Sequence, residues 1–339
     1  MSDGLAVVVV THDSQKHLPA LISELSRQMG PDDELVVVDN ASTDASVAVA
    51  RGFGERMRVI ETGANLGFGG GCHVGADTTA APLLCFINPD SEPLPGCLDA
   101  MRAAAGEHPD WGAWQAAVML DAEHINTDGG VVHFLGMGWA GHCGKPAECL
   151  PTRPTEPAFP SGAAMIVRRA TWERLGGFDP AYFLYGEDLE LGLRVWLGGE
   201  TVGMVPAARV VHRYDFDKGS HKWFYLERNR WRTVLSVYPV TLLVLLAPAL
   251  IAAELALMAL AAQQGWWRAK LSAQWAVLSE LGAIRNRRRR VQALARIDAV
   301  AFAEHLTATV ESPYVPGSGP YALLPRLYWA AVRGALTLI

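Results

Sequence analysis

The chain has 339 residues, 50% of them hydrophobic and 9% aromatic, which is room for one large α/β domain or two smaller ones and too apolar for disorder. The formal charge is −6, but Val240 to Ile339 holds ten Lys/Arg against five Asp/Glu, net +5, leaving −11 on the first 239 residues. An acidic body with a basic tail argues against a general nucleic-acid binder and for a tail near an anionic surface.

Met1-Ser-Asp-Gly is acidic and the apolar run Leu5 to Val10 is short, so no signal peptide and no export are expected. Five scattered cysteines, Cys72, Cys85, Cys97, Cys143 and Cys149, suit reduced thiols. Leu5 to Val10 reads as a strand covered on both faces, and Glu34 to Asp39 repeats it. Between them Leu18, Leu21, Ile22 and Leu25 fall at helical spacing, with Gly30-Pro31 as the stop, so a βαβ unit with a right-handed crossover is expected. Arg58 to Glu61 and Pro82 to Ile87 predict a third and a fourth strand. In such a doubly wound sheet ligands bind beyond the carboxyl ends of the strands, so Thr11-His12-Asp13, Asp39-Asn40 and Asn88-Pro89-Asp90 should converge on one crevice.

Residues 108 to 160 lack a clear period and read as short mixed strands and loops over that crevice. Glu187 to Leu197 predicts a helix with Leu189, Leu193 and Trp196 on one face, and Val202 to Val205 and Arg209 to Val211 predict late strands followed by His212. Val240 to Ala262 is long and apolar enough to span a bilayer. A single span would set Arg285 to Arg290 opposite Lys222, Arg228, Arg230 and Arg232, against the positive-inside rule, so insertion from one face as a surface or re-entrant helix is expected. A buried helix pair of a soluble domain is the alternative.

Four constellations bear chemistry. Asp39 ends a strand and can accept from a ribose or a pyrimidine N–H, while Ser42 and Asp44 can cap the next helix. Asn65-Leu-Gly-Phe-Gly-Gly-Gly-Cys-His73 lets backbone approach a ligand, and a helix starting near Cys72 would offer N–H groups to phosphate. Cys72 stands where a dinucleotide fingerprint needs glycine, which disfavours a nicotinamide or methyl-donor enzyme. Asp90 at a strand end suits Mg²⁺ or Mn²⁺ bridging a diphosphate. Glu187 and Asp188 open a helix, where the macrodipole favours negative charge and a carboxylate can deprotonate a hydroxyl. His133, His142, Cys143 and Cys149 match no zinc spacing, and the Arg285 to Arg290 run lacks the interleaved aromatics of a nucleic-acid site.

In order, Val-Val-Asp39-Asn-Ala-Ser-Thr-Asp44, Asn65-Leu-Gly-Phe-Gly69, Asn88-Pro-Asp90, Gly176-Gly-Phe-Asp179, Phe183-Leu-Tyr-Gly-Glu-Asp188 and His212 resemble family-2 glycosyltransferases of the GT-A fold, in the bacterial rhamnosyltransferase-like branch. The resemblance covers about residues 5 to 235 and implies an α/β catalytic domain, a Rossmann-like, mixed and mostly parallel sheet, over 1–235, with a nucleotide-binding half over 1–107 and an acceptor half over 108–235. A helical, membrane-associating region would follow over 236–339. It implies inverting transfer from a nucleotide-diphosphate sugar, with dTDP-rhamnose favoured, to a polyprenyl-diphosphate-linked saccharide in cell-envelope synthesis at the cytoplasmic face of the bacterial membrane. Carried over, Asp188 would be the general base with Glu187 beside it. Asp39 would hold the base, with Thr11, Asn40, Ser42, Asn65, Gly67, Phe68, Gly69 and Asn88 lining the donor. Asp90 and His212 would bind a divalent metal, Mg²⁺ or Mn²⁺, and Arg228 and Arg230 would face the diphosphate. Glu92 would lie outside the metal's ligands, and His73 stands where the branch commonly has Asn. Another UDP- or GDP-sugar, a non-lipid acceptor or a catalytically silent membrane scaffold are the rival functions, and a homo-oligomer is left open.

Overall fold

The computed structural model describes residues 4–54, 57–213, 221–311 and 323–339. By its contacts the chain forms two compact units, one from 1–130, 140–195 and 200–214, the other from 131–139, 196–199 and 215–339. The first unit begins with β1 (Leu5–Thr11), α1 (Leu18–Gln28), β2 (Glu34–Asp39), α2 (Ser46–Arg51), β3 (Met57–Glu61), α3 (Gly67–Asp77) and β4 (Leu83–Ile87). It continues through β5 (Ser91–Pro93), α4 (Cys97–Glu107), β6 (Trp111–Met119) and β7 (Ile125–Thr127). In chain order the short pair β8 (Gly130–Val132) and β9 (Gly138–Ala140), mostly of the second unit, comes next; the first unit resumes with β10 (Ala164–Arg168), α5 (Arg169–Leu175), α6 (Glu187–Leu197, all but its last two residues) and β11 (Thr201–His212).

The main sheet has the order β3-β2-β1-β4-β10-β6-β11-β5, with β7 on β6. β3, β2, β1 and β4 pair with one another in parallel, as the Val-rich runs of β1 and β2 suggest, and every residue of β1 is buried. The stripe Leu18, Leu21, Ile22 and Leu25 of α1 packs into the same core. Winding runs outward from β1 to β3 and then reverses to β4, which sets the topological switch point between β1 and β4. β10 then enters antiparallel between β4 and β6, making the sheet mixed.

Two expectations are corrected. The region 108–160 is more than a cover: all nine residues of β6 are buried, and it lies between β10 and β11. Its sequence Trp-Gly-Ala-Trp-Gln-Ala-Ala-Val-Met shows no alternation because both faces are covered, and Gly203 on β11 leaves room for the Trp111 ring, which a Cβ there would meet at 2.1 Å. The two late strands are one, β11, whose register on β6 shifts between Val205 and Arg209.

α3 starts at Gly67, five positions before the predicted Cys72, so the glycines lie inside the helix. A Cβ on Gly75 would come within 2.3 Å of Val8, and one on Gly71 within 2.5 Å of Val10, so glycine here buys close helix-to-strand packing. On α6, Glu190 and Arg194 are both fully buried and pair at 2.6 Å. Arg194 also donates to the carbonyls of Leu175 (2.9 Å) and Gly177 (2.6 Å), fastening the start of the loop that returns to α6.

The second unit holds α7 (His221–Val237), α8 (Val240–Gln263), α9 (Trp267–Ser279), α10 (Leu281–Ala293), α11 (Ala299–Ala303) and α12 (Leu323–Leu336). The expected boundary at 235 falls within it, because α7 packs on α9 and α10. Between its apolar helices lies a buried charge cluster. Lys270 is wholly buried and bonds Glu227 at 2.5 Å and Glu254 at 3.0 Å, while Arg230 pairs with both glutamates. The basic run is split: Arg288 donates to the carbonyls of Leu235 (2.9 Å) and Tyr238 (2.8 Å) after α7, whereas Arg285, Arg289 and Arg290 are exposed.

Arg194→Met leaves Glu190 buried without its counter-charge and two carbonyls unpaired, and should lower stability by about 3–5 kcal/mol. Urea denaturation followed by circular dichroism checks this; a loss below ~1 kcal/mol would contradict the structural role of the pair.

Candidate active site

The crevice begins where β1 and β2 end side by side, Thr11 opposite Asp39. Asp39 is buried; its Oδ2 accepts from Ser42 N at 3.0 Å, while Oδ1 and the Thr11 hydroxyl have no partner among the described residues. Buried polar atoms are ordinarily paired, so this couple is an exception within the fold. Ser42 Oγ accepts from Asp13 N at 2.9 Å and so fastens the two turns together. Asn40 has a different part from the one expected. Its side chain is buried and Nδ2 donates to the Gly67 carbonyl at 2.9 Å, so it is a positioning residue behind the donor surface.

Gly67 joins this surface to the other half of the unit. At φ +73° it opens α3, its N–H donating to Asn65 Oδ1 at 2.9 Å. A Cβ here would lie 2.3 Å from the Phe183 carbonyl, and in its absence Phe68 N donates to that oxygen at 3.0 Å. The N–H groups of Gly67 and Phe68, at the start of α3, are therefore engaged by the protein. Gly69 fits against Phe178, and His73 Nε2 donates to the Phe178 carbonyl at 2.8 Å while packing on Trp172. Phe86, Trp172 and Phe178 complete an aromatic cluster beneath the loop. Phe183 (φ 62°) and Tyr185 (φ 67°) bring that loop into α6, and Asp13 and Ala41 share positive φ at the two turns. Four of the five such non-glycine residues among those described thus border the crevice, where strain is characteristic of functional segments.

The carboxylates gather around one turn, Ser161-Gly162-Ala163. Gly162 N donates to Asp188 Oδ2 at 3.1 Å, and Leu189 N to Oδ1 at 2.8 Å. The Ala163 carbonyl accepts from Asn88 N at 3.0 Å and from Ser91 Oγ at 3.1 Å. Between Asn88 and Ser91 stands Asp90, whose Oδ1 lies 3.2 Å from His212 Nε2. Glu187 and Asp188 are both pushed above the ordinary carboxylate range, chiefly by burial. For Glu187 the neighbouring Asp188 charge adds to this and the value reaches about 8; for Asp188 the Gly162 and Leu189 N–H groups oppose it. Glu187, pushed up to about 8, keeps a proton near neutrality, and the Gly162 and Leu189 N–H groups favour the charged form of Asp188 against its burial.

Three positioning residues are absent from the sequence reading. Gln115 on β6 accepts from Ser161 N at 2.7 Å, Asn126 on β7 donates to the His212 carbonyl at 2.9 Å, and the Gly162 N–H holds Asp188. Arg228 and Arg230 belong to the helical unit. Arg228 stacks on Phe224 and Tyr225, and Arg230 is bound by Glu227, Glu254 and the Leu135 carbonyl. Arg230 thus works inside its own unit and is not carried forward as a donor ligand. Among the described residues no cluster of three or more His, Cys, Asp or Glu side chains could hold a metal. The Asp90 carboxylate fits Mg²⁺ or Mn²⁺ completed by ligand oxygens, and the His212 imidazole beside it suits the transition metal of the two better than Mg²⁺.

Comparison with known proteins agrees with this arrangement. The model of glycosyl transferase family 2 matches residues 6–136, and that of glycosyl transferase family group 2 matches residues 145–284. The N-acetylglucosaminyl-diphospho-decaprenol L-rhamnosyltransferase of Mycobacterium tuberculosis is 28% identical over 308 residues, covering 83% of this chain and 91% of its own. Among solved structures, the mannosyltransferase PcManGT from Pyrobaculum calidifontis, in complex with GDP-Man and Mn²⁺, superposes with a TM-score of 0.52 at 18% identity over 88% of this chain and 86% of that one. GalNAc-T7 with UDP, GalNAc and Mn²⁺ gives 0.57 at 16% identity over 68% of this chain, which spans about half (47%) of its length. With the two models matched in series and the GT-A sheet shared, the chain belongs to glycosyl transferase family 2.

Proposed function

We propose that the protein transfers rhamnose from dTDP-rhamnose to a hydroxyl of a polyprenyl-diphosphate-linked saccharide, with inversion, at the cytoplasmic face of a bacterial membrane. The observation that carries the chemistry is the shared turn: Asp188 hangs from Gly162, and the next residue, Ala163, holds the segment bearing Asp90. A base for the acceptor and a ligand for the diphosphate side are thereby fixed to one short rigid element. The sugar and the lipid-linked acceptor rest on the mycobacterial relative, whose name specifies a rhamnosyl transfer to an N-acetylglucosaminyl-diphospho lipid.

The donor base would lie at Thr11 and Asp39. The free Asp39 oxygen accepts N3–H of thymine or uracil and repels the N3 lone pair of cytosine. Phe68, packed beside Gly162 and Asp188, would line the donor next to the reacting centre. Asp90 and His212 would hold the divalent cation, which supplies charge neutralisation to the diphosphate. Asp188 takes the proton of the acceptor hydroxyl as that oxygen bonds to the anomeric carbon; the carbon–diphosphate bond breaks with its electrons on the diphosphate. One displacement inverts the configuration and needs no protein nucleophile. Glu187 stays protonated through this step, which keeps a second negative charge away from Asp188.

Asp188→Asn should keep donor affinity within about twofold and lose transfer by roughly 10²–10⁴-fold. Calorimetric donor binding beside a transfer assay checks this, and near-full activity would refute the base assignment. Glu187 has a raised folded-state value, so its stabilising contribution is complete below the unfolded carboxyl range and is lost as pH rises to about 8. Glu187→Gln removes that loss. Its melting temperature should therefore gain on the parent progressively from about pH 5 to about pH 8 and level off above. A difference that does not vary with pH would contradict a proton held on Glu187.

A further inference from the structure

The helical unit carries apolar surface that its own packing does not use. α8 is long and apolar enough to cross a membrane, yet only its narrow stripe Leu242, Leu246, Leu250 and Ala261 is buried. Val244, Ile251 and Leu255 face outward, Leu255 at 70% exposure. Its single charged residue, Glu254, turns inward to Arg230 and Lys270, so the outer face of α8 is uncharged. α9, joined to α8 through Gly265, repeats the arrangement: Lys270, Ala273 and Val277 face inward, and Trp267, Leu271, Trp275 and Leu278 form an exposed stripe at helical spacing. Trp275 is 73% exposed. An amphipathic helix whose apolar side faces out has a partner outside the unit.

We propose that the outer face of the α8–α9 hairpin docks on a lipid bilayer bearing anionic headgroups and lies along it without crossing. Charge selects this occupant: Arg268 stacks on Trp267 of the stripe, and the helix that follows α9 in the chain carries Arg285, Arg289 and Arg290 as exposed cations. Trp267 at the start of the stripe and Trp275 within it suit the headgroup boundary. The buried cluster decides against a span. Glu254 is tied to Arg230 on α7 and Lys270 on α9, so α8 could cross only by drawing α7, with Glu227, Arg228 and Arg232, into hydrocarbon, or by abandoning Glu254 unpaired there. Docking leaves every one of those pairs intact. The inference deepens the reading of a lipid-linked acceptor by naming the surface that would meet the lipid, and it is measured without substrate, so the two can fail separately.

Cosedimentation of the full chain with phosphatidylcholine vesicles, with and without phosphatidylglycerol, tests it. The parent should bind the anionic vesicles, and the double variant Trp275→Ser with Leu278→Ser should bind on the order of tenfold more weakly while keeping donor affinity. Leu255→Ser on α8 should weaken binding in the same direction, which guards against a folding defect confined to α9. Replacing Arg285, Arg289 and Arg290 by Gln should weaken binding to anionic vesicles alone. The proposal is overturned if the parent stays in solution with both vesicles, or if the Trp275/Leu278 variant binds as the parent does. It is equally overturned if light scattering shows that this variant loses self-association with vesicle binding unchanged, since the face would then belong to a second copy of the chain.

Discussion

The candidate site depends on one backbone hydrogen bond, from Phe68 N–H to the Phe183 carbonyl. It exists because residue 67 has no side chain; a Cβ would lie 2.3 Å from that oxygen. On one side of it, Asn40 holds the Gly67 carbonyl and ties α3 to the end of β2, where Asp39 waits. On the other side, the loop from Phe178 to Gly186 runs into Glu187 and Asp188, braced by His73 and Arg194. The proposed donor surface and the proposed acceptor base thus share one junction, although Asp39 and Asp188 lie almost 150 residues apart in the chain. Catalysis by positioning needs such a junction, since small displacements of a base forfeit large factors in rate.

The same region concentrates unpaired polar atoms. Thr11 Oγ1, Asp39 Oδ1 and Glu187 Oε2 are buried without partners among the described residues. Each costs about 1–3 kcal/mol in the free protein, which a stable fold tolerates where a ligand or a held proton compensates. For Asp39 the proposed compensation is a base N–H; for Glu187 it is the held proton. Asp90 and His212 follow a related logic, offering too few ligands to retain a cation tightly on their own. Site assembly would therefore be completed by the donor, which brings both the base and the diphosphate oxygens.

Much of this was legible in the sequence wherever one local signal dominates. The Val-rich runs of β1 and β2 and the 3.6-residue stripes of α1 and α6 gave strands and helices close to those observed, because buried faces leave a periodic record. β6 left none, being covered on both faces by a sequence of small residues and two tryptophans. The start of α3 was hidden because glycine disfavours helix locally, and the close approach to Val8 and Val10 that demands it is tertiary. Asp39, Asp90 and Asp188 could be named as carboxylates at strand and helix ends. The duties of Asn40, Gln115 and Asn126 could not, since each bonds a backbone group dozens of residues away. Arg230 misled for a like reason: its basic character is visible, its burial against Glu227 and Glu254 is not.

The proposed reaction is a single displacement at the anomeric carbon, driven by one carboxylate at the start of α6. The most direct measurement is nuclear magnetic resonance of the product formed from dTDP-rhamnose, a polyprenyl-diphosphate-linked N-acetylglucosamine acceptor and Mn²⁺. A glycosidic linkage of inverted anomeric configuration, formed as dTDP is released, is the predicted result. Retention of configuration, or failure to form a linkage from any nucleotide sugar under conditions where the protein binds the nucleotide, would contradict it.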